Sequence, residues 1–335
     1  MNTDTLDRAL LYKLDAIRQA GTLISATWQP EERHQALTDG YREVCKLVRR
    51  QRQDWHTVHR RSTDATTFIR TENYNPTSFR LVAGTATYTL PPDLLELRFV
   101  RCVTAGREHV AFELVAENQD EGMRVRRRPD PTAGQQGTRF LCILTGQRSM
   151  VVVPTPQETL ELELVYVTQP RRLVLYSTGT ITTVNGSTAL LTAGSADWTE
   201  RASGIVVGDE ILIGTSATAP TASLDARYPR LLTGNTGGTE AGLAEPYLGA
   251  TGGALLYRLA SVPDLPEDWH YAIVFFAVWA LLAKSVEEGQ GPAAERAWQD
   301  WQRIAAALIP ESAQRDSQDL QVAEDGWAVF EGEAY

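Results

Sequence analysis

A short and almost wholly apolar segment near the end of the chain restricts the possible folds more than any other feature. The segment YAIVFFAVWALLA, residues 271–283, predicts a helix that is apolar nearly all round. It is shorter than the roughly 20 residues that a helix needs to cross a bilayer, so its surroundings are expected to be protein. Either the N-terminal helices of the same chain or neighbouring subunits are then needed to cover it.

Both ends of the chain have helical periodicity. Near the start, Leu6, Leu10, Leu14 and Ile17 recur at helical spacing, and a second helical pattern begins at Pro30, which suits a first helical turn. A short helix is also expected near 117–123. The four main predicted helices, which are expected to form one bundle, are 4–20, 31–56, 267–288 and 293–309.

The middle of the chain, from about residue 63 to 262, alternates apolar and polar residues between Gly, Pro and Asn breaks, which predicts β-strands. Within it, residues 174–262 are rich in Gly, Thr, Ser and Ala and poor in charge. Asn185-Gly186 predicts a two-residue hairpin there. We interpret residues 174–262 as a small separate β domain inserted in the chain.

The predicted fold class is therefore α+β. It combines a helical bundle from the N- and C-terminal helices, a central β-sheet or sandwich region, and an inserted small β-barrel-like domain. The predicted divisions are an N-terminal helical region over residues 1–62, a β region 63–173, an inserted β-barrel or sandwich module 174–262, a C-terminal helical hairpin 263–310 packed on 1–62, and an acidic, flexible tail 311–335.

Charge and cysteine usage narrow the class of protein. The formal net charge of −10 over 335 residues argues against sequence-specific DNA binding, which draws its affinity from neutralised phosphates. Cys45, Cys102 and Cys142 form no CxxC pair and are expected to be buried thiols in a reducing compartment. The start, MNTDTLDRALL, does not resemble a secretion signal. We expect an intracellular product without membrane association.

The sequence predicts no catalytic, metal or cofactor site, and hence no enzyme. His56 and His59 lack a nearby third metal ligand in the sequence. No nucleophile motif is present, and the glycine-rich stretches lack the ending of a phosphate-binding loop. Glu161 and Glu163 form a carboxylate pair on one strand, which is interpreted as a solvated surface pair.

The stretch TATYTLPPDLLELRFVRCV, residues 85–103, stops one strand and starts another at once. Tyr88 belongs to the first strand, Pro91 and Pro92 end it, and Asp93 lies at the corner. Asp93 is expected to hold the corner by accepting backbone N–H bonds. An ordinary strand–turn–strand in a sandwich is the alternative interpretation.

The whole layout resembles the head-to-tail adaptor (connector) proteins of tailed bacteriophages, including the tail tubular protein A group. The resemblance depends on YTLPPDLL (88–95), on LPEDWH (265–270) before an apolar helix, and on WQPEERHQALTDGYREV (28–44). Residues 174–262 resemble a small β module of several phage virion proteins. In that module, the residues matching Trp198 and Gly208-Asp209 fix a compact unit.

The resemblance implies a structural virion protein at the head–tail junction, present in the host cytoplasm during assembly. It implies a homo-oligomeric ring, by analogy of twelve copies, which docks beneath the portal protein and above a downstream tail or nozzle protein. Genomic DNA would pass through its lumen without specific binding. Two alternatives are a carbohydrate-binding adhesion component of the virion and a virion-associated cell-wall hydrolase.

Two sets of residues are candidate assembly contacts. The basic segments 46–52 and 124–129 are either solvated faces or contacts to acidic surfaces of the portal or of neighbouring subunits. The C-terminal tail is either a frayed end or an anchor that orders on docking. The candidate interface residues are Arg124, Arg126, Arg127, Arg128, Trp327, Phe330 and Tyr335.

Overall fold

The computed structural model of the chain has two compact units. We call Met1–Trp55 together with Pro170–Tyr335 the body, and His56–Gln169 the central unit. The residues that the structure describes are 1–17, 28–51, 55–63, 79–116, 139–146, 148–177, 179–193, 198, 208–214, 230–235, 240–248, 251–284 and 291–308.

The body contains the four main helices. They are α1 (Thr3–Ala16), α2 (Pro30–Gln51), α3 (His270–Lys284), which follows a 3-10 turn, and α4 (residues 291–308). Asn2 caps α1 by accepting a hydrogen bond from the Thr5 backbone N–H at 2.9 Å. This cap, together with the apolar periodicity, explains why α1 begins close to where the sequence predicts.

The apolar segment of α3 lies in a core made by the same chain. Ile273, Ala277 and Leu281 of α3 are fully buried in one cluster with Leu10 of α1 and Leu37 of α2. The α4 helix contributes to the same cluster through Trp301 and Leu308. The N-terminal helices of the chain itself, rather than neighbouring subunits alone, therefore cover this segment.

The central unit consists of two sheets that share one hydrophobic core. One sheet has the order β1-β7-β3 and the other has the order β2-β6-β5-β4. All pairs are antiparallel except β4 with β5. The strands are β1 (Thr57–Arg61), β2 (Thr87–Thr89), β3 (Leu94–Cys102), β4 (Ala111–Ala116), β5 (Arg139–Thr145), β6 (Ser149–Val153) and β7 (Leu162–Thr168).

The remaining strands form an eight-stranded antiparallel sheet within the body, which we call the β module. Its order is β14-β9-β10-β13-β12-β11-β15-β8. The strands are β8 (Leu175–Tyr176), β9 (Thr180–Thr183), β10 (Ala189–Ala193), β11 (Glu210–Ile213), β12 (Arg230–Asn235), β13 (Glu240–Leu243), β14 (Gly252–Leu255) and β15 (Tyr257–Ala260).

The hairpin predicted at Asn185-Gly186 joins β9 to β10, but its loop is longer than two residues. The observed register pairs Thr182 with Leu191, and Gly186 has a positive φ of 77° while Asn185 does not. The Asn185 backbone N–H is hydrogen-bonded to the Thr251 hydroxyl at 3.0 Å. The turn therefore also contacts a distant loop, which the local sequence did not indicate.

The β module is attached directly to the start of α1. The Thr3 backbone N–H and its hydroxyl both donate to the Ser261 carbonyl oxygen at 2.8 Å, and Asp4 pairs with Arg258 of β15. Asn2 donates to the Glu210 carboxylate at 2.5 Å. Residues 174–262 were predicted to be a separate domain, whereas the β module lies in one compact unit with the helices.

The predicted α+β class is confirmed, whereas the bundle and barrel remain predictions. The helix predicted over 31–56 ends at Gln51, and Thr57–Arg61, which was predicted within the N-terminal helical region, is strand β1. The helix predicted near 117–123 lies outside the described residues. No helix among the described residues is long and apolar enough to cross a membrane.

Candidate interaction surfaces

The Pro-Pro corner carries the chain from one sheet of the central unit to the other. Strand β2 belongs to the four-stranded sheet and β3 to the three-stranded sheet. The Leu94 backbone N–H closes the turn on the Pro91 carbonyl oxygen at 3.1 Å. The buried Tyr88 hydroxyl accepts from the Val82 N–H at 3.1 Å and donates to the Thr85 carbonyl. The corner thus connects the two sheets that enclose the core of the central unit.

Asp93 lies at this corner and accepts hydrogen bonds from side chains. The Tyr166 hydroxyl donates to its carboxylate at 3.0 Å, and the Arg60 guanidinium lies 3.4 Å away. Arg60 also stands over the Tyr166 ring, 5.6 Å from its centroid. Among the described residues, the donors to the Asp93 carboxylate are therefore side chains of β1 and β7, not the backbone N–H groups that the sequence analysis expected. Asp93 ties both strands to the turn.

The outer face of the β1-β7-β3 sheet concentrates arginines around a buried carboxylate. The Glu163 residue of β7 is only 2% exposed, although it was interpreted as a solvated residue. Arg61 of β1 donates to it at 3.3 Å, and Arg101 of β3 pairs with it from the other side. Burial alone would raise the pKa of Glu163, but the hydrogen bonds from the two arginines lower it below its usual range.

Apolar surface adjoins these arginines. The Phe99 side chain is 46% exposed and contacts the His59 ring edge-on, with 6.5 Å between centroids. Leu95, on the same strand, is exposed to a similar degree. Exposed aromatic and guanidinium groups side by side are typical of protein interfaces. This face, defined by His59, Arg61, Phe99 and Arg101, is the arginine face.

The Glu163 ion pairs predict a specific pH dependence of stability. Because the pKa of Glu163 is lower in the folded protein, its contribution is present above the unfolded-state pKa of about 4.3 and is lost as pH falls through the folded-state pKa. We expect the Glu163→Gln protein to lose less stability than the wild type as the pH falls below about 5. Urea unfolding at a series of pH values measures this.

The matched control for this prediction is Glu113→Gln. Glu113 also pairs with an arginine across neighbouring strands, Arg139, but both side chains are largely exposed, and exposed pairs contribute little. An acid limb that responds equally to both substitutions would show that Glu163 has no special linkage to folding.

A buried polar network joins the β module to the loops that lead into the helices. The Asp209 carboxylate is fully buried and binds the Arg171 guanidinium in a bidentate pair. It also accepts from the Val262 backbone N–H at 2.9 Å, while Arg171 donates to the Val262 carbonyl at 2.7 Å. Burial lowers the pKa of Arg171, but the bonds to Asp209 raise it overall. The turn Gly208-Asp209 therefore holds the module in place.

Trp198 is a core residue of the β module. Its side chain is 2% exposed, its Nε1 donates to the Tyr257 hydroxyl at 2.9 Å, and the two rings meet edge-on with centroids 5.5 Å apart. Burial raises the pKa of Tyr257 well above its usual range. The indole is thus unavailable for stacking on an external ligand.

A groove of about 480 Å³ runs between α1, α3 and α4 of the body. Its walls combine Tyr12 and Lys13 of α1, Phe275 of α3, and Arg296 and Asp300 of α4. Tyr12 is 77% exposed, and the Lys13 ammonium lies over the Phe275 ring, 3.8 Å from its centroid. We call this the helical groove. No sequence pattern predicted this groove.

The described residues contain no group of three or more His, Cys, Asp or Glu side chains placed to hold a metal ion. Burial raises the pKa of Cys142 to about 12, so this thiol is not a nucleophile at neutral pH. All three cysteines are buried, and none of them forms a disulfide. His59 contacts the Glu163 carboxylate at 3.8 Å. The absence of an enzymatic activity stays a prediction.

The family to which these two units belong is shown by sequence comparison. The family model described as SU10 adaptor protein matches residues 12–202, which is more than half of the 335 residues. The chain belongs to the SU10 adaptor protein family. No curated protein matches the sequence.

Membership of the SU10 adaptor protein family confirms the coarser prediction of a bacteriophage structural adaptor. The matched region includes the Pro-Pro corner, the helix α2 and the whole central unit, but it ends before β11. Placement in the tail tubular protein A group and the identity of the inserted β module stay predictions. The predicted assembly residues Arg124, Arg126, Arg127 and Arg128, and likewise Trp327, Phe330 and Tyr335, lie outside the described residues.

Proposed function

We propose that this chain is the head-to-tail connector of a tailed bacteriophage. In this proposal it forms a ring, of twelve copies by analogy, beneath the portal protein, contacts a downstream tail or nozzle protein, and continues the DNA channel through its lumen. The observation that carries the proposal is the match to the SU10 adaptor protein family over residues 12–202. A connector acts by assembly, so it needs binding surfaces rather than a catalytic centre.

Two physical features support this proposal. The arginine face presents the exposed Phe99 ring near Arg61 and Arg101, which suits contact with an acidic protein surface. The net charge of −10 suits a conduit through which DNA passes, because a lumen that bound phosphates tightly would retard the genome. The proposed DNA contact is therefore passage without specific binding.

The adhesion alternative has less support. The tryptophan of the β module, Trp198, lies in its core with its N–H bonded to Tyr257, and a sugar-binding platform requires an exposed aromatic ring. The hydrolase alternative would require an acid, base or nucleophile set, and the sequence contains no motif for one.

The experiment that tests the proposal is measurement of mass and shape, by light scattering and negative-stain imaging, for the full chain alone and mixed with portal rings. We expect a ring with a central channel about the width of duplex DNA, either in the free protein or formed on the portal. A monodisperse species that does not bind portal rings would overturn the proposal, and glycan arrays and wall-hydrolysis assays would then decide between the alternatives.

Charge reversal tests the predicted basic contacts. We expect the variant with Arg126, Arg127 and Arg128 replaced by glutamate to bind portal rings at least about tenfold more weakly, because buried arginine–carboxylate pairs are costly to break. Co-sedimentation with portal rings measures this. Arg303→Glu, which changes a largely exposed arginine of α4, is the control and is expected to bind normally. Unchanged binding of the triple variant would assign the cluster to a solvated surface.

A further inference from the structure

Small side chains form part of the lining of the helical groove. Ala16 of α1 and Ala293 and Ala297 of α4 lie where larger residues would fill the space between the helices. Its volume of about 480 Å³ is within the range of about 300–1,000 Å³ that ligand sites occupy. The groove is therefore large enough to bind one or two aromatic side chains.

The walls of the helical groove favour an occupant that is both aromatic and acidic. Phe275 and the exposed ring of Tyr12 supply apolar contact area. Lys13 and Arg296 supply two cations, against the single carboxylate of Asp300. Burial lowers the pKa of Lys13, while the Asp300 charge acts in the opposite direction. A negatively charged ligand would stabilise both cations.

The C-terminal residues of this chain have the matching composition. The segment 324–335, EDGWAVFEGEAY, contains three aromatic residues, four acids and no lysine or arginine. We propose that the helical groove binds this segment of the same chain, with Trp327 or Phe330 inserted between α1, α3 and α4. The acids around them, including Glu331 and Glu333, would then meet Lys13 and Arg296.

The length of the connecting chain permits this contact within one molecule. Helix α4 is described to residue 308, and residues 309–323 join it to the segment. Fifteen residues span up to about 50 Å when extended, whereas the described helix of 18 residues is about 27 Å long. A connection of this length is sufficient for the segment to reach the groove, and its shortness would give a high effective concentration. This assignment does not depend on ring formation, because it concerns contacts within one chain.

Photo-crosslinking in the full chain tests the proposal. The photoreactive residue p-benzoylphenylalanine replaces Tyr12 at the edge of the groove, and the dilute protein is irradiated. We expect a crosslink to a peptide within 324–335 at the mass of a single chain. The yield is expected to fall about tenfold or more when Trp327 and Phe330 are both replaced by alanine, because a few buried aromatic residues carry most of the energy of such contacts. The control places the same photoreactive residue at Leu248, which is 76% exposed and lies in the β module.

Hydrogen exchange gives a second readout. Ala293→Trp places an indole in the groove and is expected to speed amide exchange across 324–335 while α1 and α4 keep their protection. Crosslinks that appear only at the mass of two chains would assign the groove to a second copy. A Tyr12 yield no higher than the Leu248 control would show that the segment does not bind there. Either result overturns the proposal.

Discussion

Replacing Asp209 by alanine is expected to lower the free energy of unfolding of the body by about 3–5 kcal/mol, since this is the cost of leaving one partner of a buried ion pair uncompensated. Arg171 is 12% exposed at its side chain and would lose both of its bonds to the carboxylate. The Val262 backbone N–H would also lose its acceptor. Urea unfolding, followed by circular dichroism, measures the change.

Two further variants make this prediction specific. Replacing both partners, with Asp209→Leu and Arg171→Met, is expected to recover much of the loss, because no buried charge then remains unpaired. Glu43→Ala breaks an ion pair with Lys46 on the surface of α2 and is expected to cost less than about 1 kcal/mol. An Asp209→Ala protein as stable as Glu43→Ala would contradict the assigned role of the network.

Gly40→Ala is expected to destabilise the body by about 1–3 kcal/mol, the usual cost of overpacking a close contact. In an open helix the same substitution would stabilise by about 1 kcal/mol. Here a Cβ atom at residue 40 would lie 2.6 Å from the Ile273 carbonyl oxygen, so α2 and α3 would have to separate. The midpoint of urea unfolding measures this effect.

The control for Gly40 is Gly291→Ala. Gly291 is in α4, and a Cβ atom there would meet nothing within 4 Å, so this variant is expected to be unchanged or slightly more stable. The two identical substitutions should therefore differ clearly in their midpoints, with only Gly40→Ala shifted downward. A Gly40→Ala protein that gains stability would show that the two helices approach each other less closely than the structure indicates.

The two candidate interaction surfaces were harder to predict from the sequence than the helices and strands that form them. The arginine face depends on β7 being the middle strand, which places Glu163 opposite both Arg61 and Arg101. In the sequence, Glu163 follows Glu161 in an alternating strand and is indistinguishable from a solvated acid. The helical groove depends on where three helices diverge. The space between packed helices cannot be predicted from a local sequence pattern.

Strand β1 likewise could not be predicted from its local sequence. Thr57–Arg61 follows a helix pattern and carries histidine and arginines, so it resembles a polar helix end. Its pairing with β7, over 100 residues later, makes it a strand, because β-propensity depends mainly on cross-strand neighbours. Residues 28–51, in contrast, needed only local signals: Pro30 at the start and an apolar stripe of which Leu37, Tyr41 and Val44 are fully buried.

Local patterns in the chain were enough to predict the α+β class, the approximate extent of the helices and the break at Pro91-Pro92, because periodicity and proline chemistry act over a few neighbouring residues. The attachment of the β module to α1 and to Arg171 came from the folded arrangement. These contacts link Asp4 to Arg258 and Arg171 to Asp209 across long stretches of chain. The energies of these contacts come from burial and ion pairing between residues far apart in the sequence. Such pairs produce no periodic pattern in the sequence, so they could not be predicted from it.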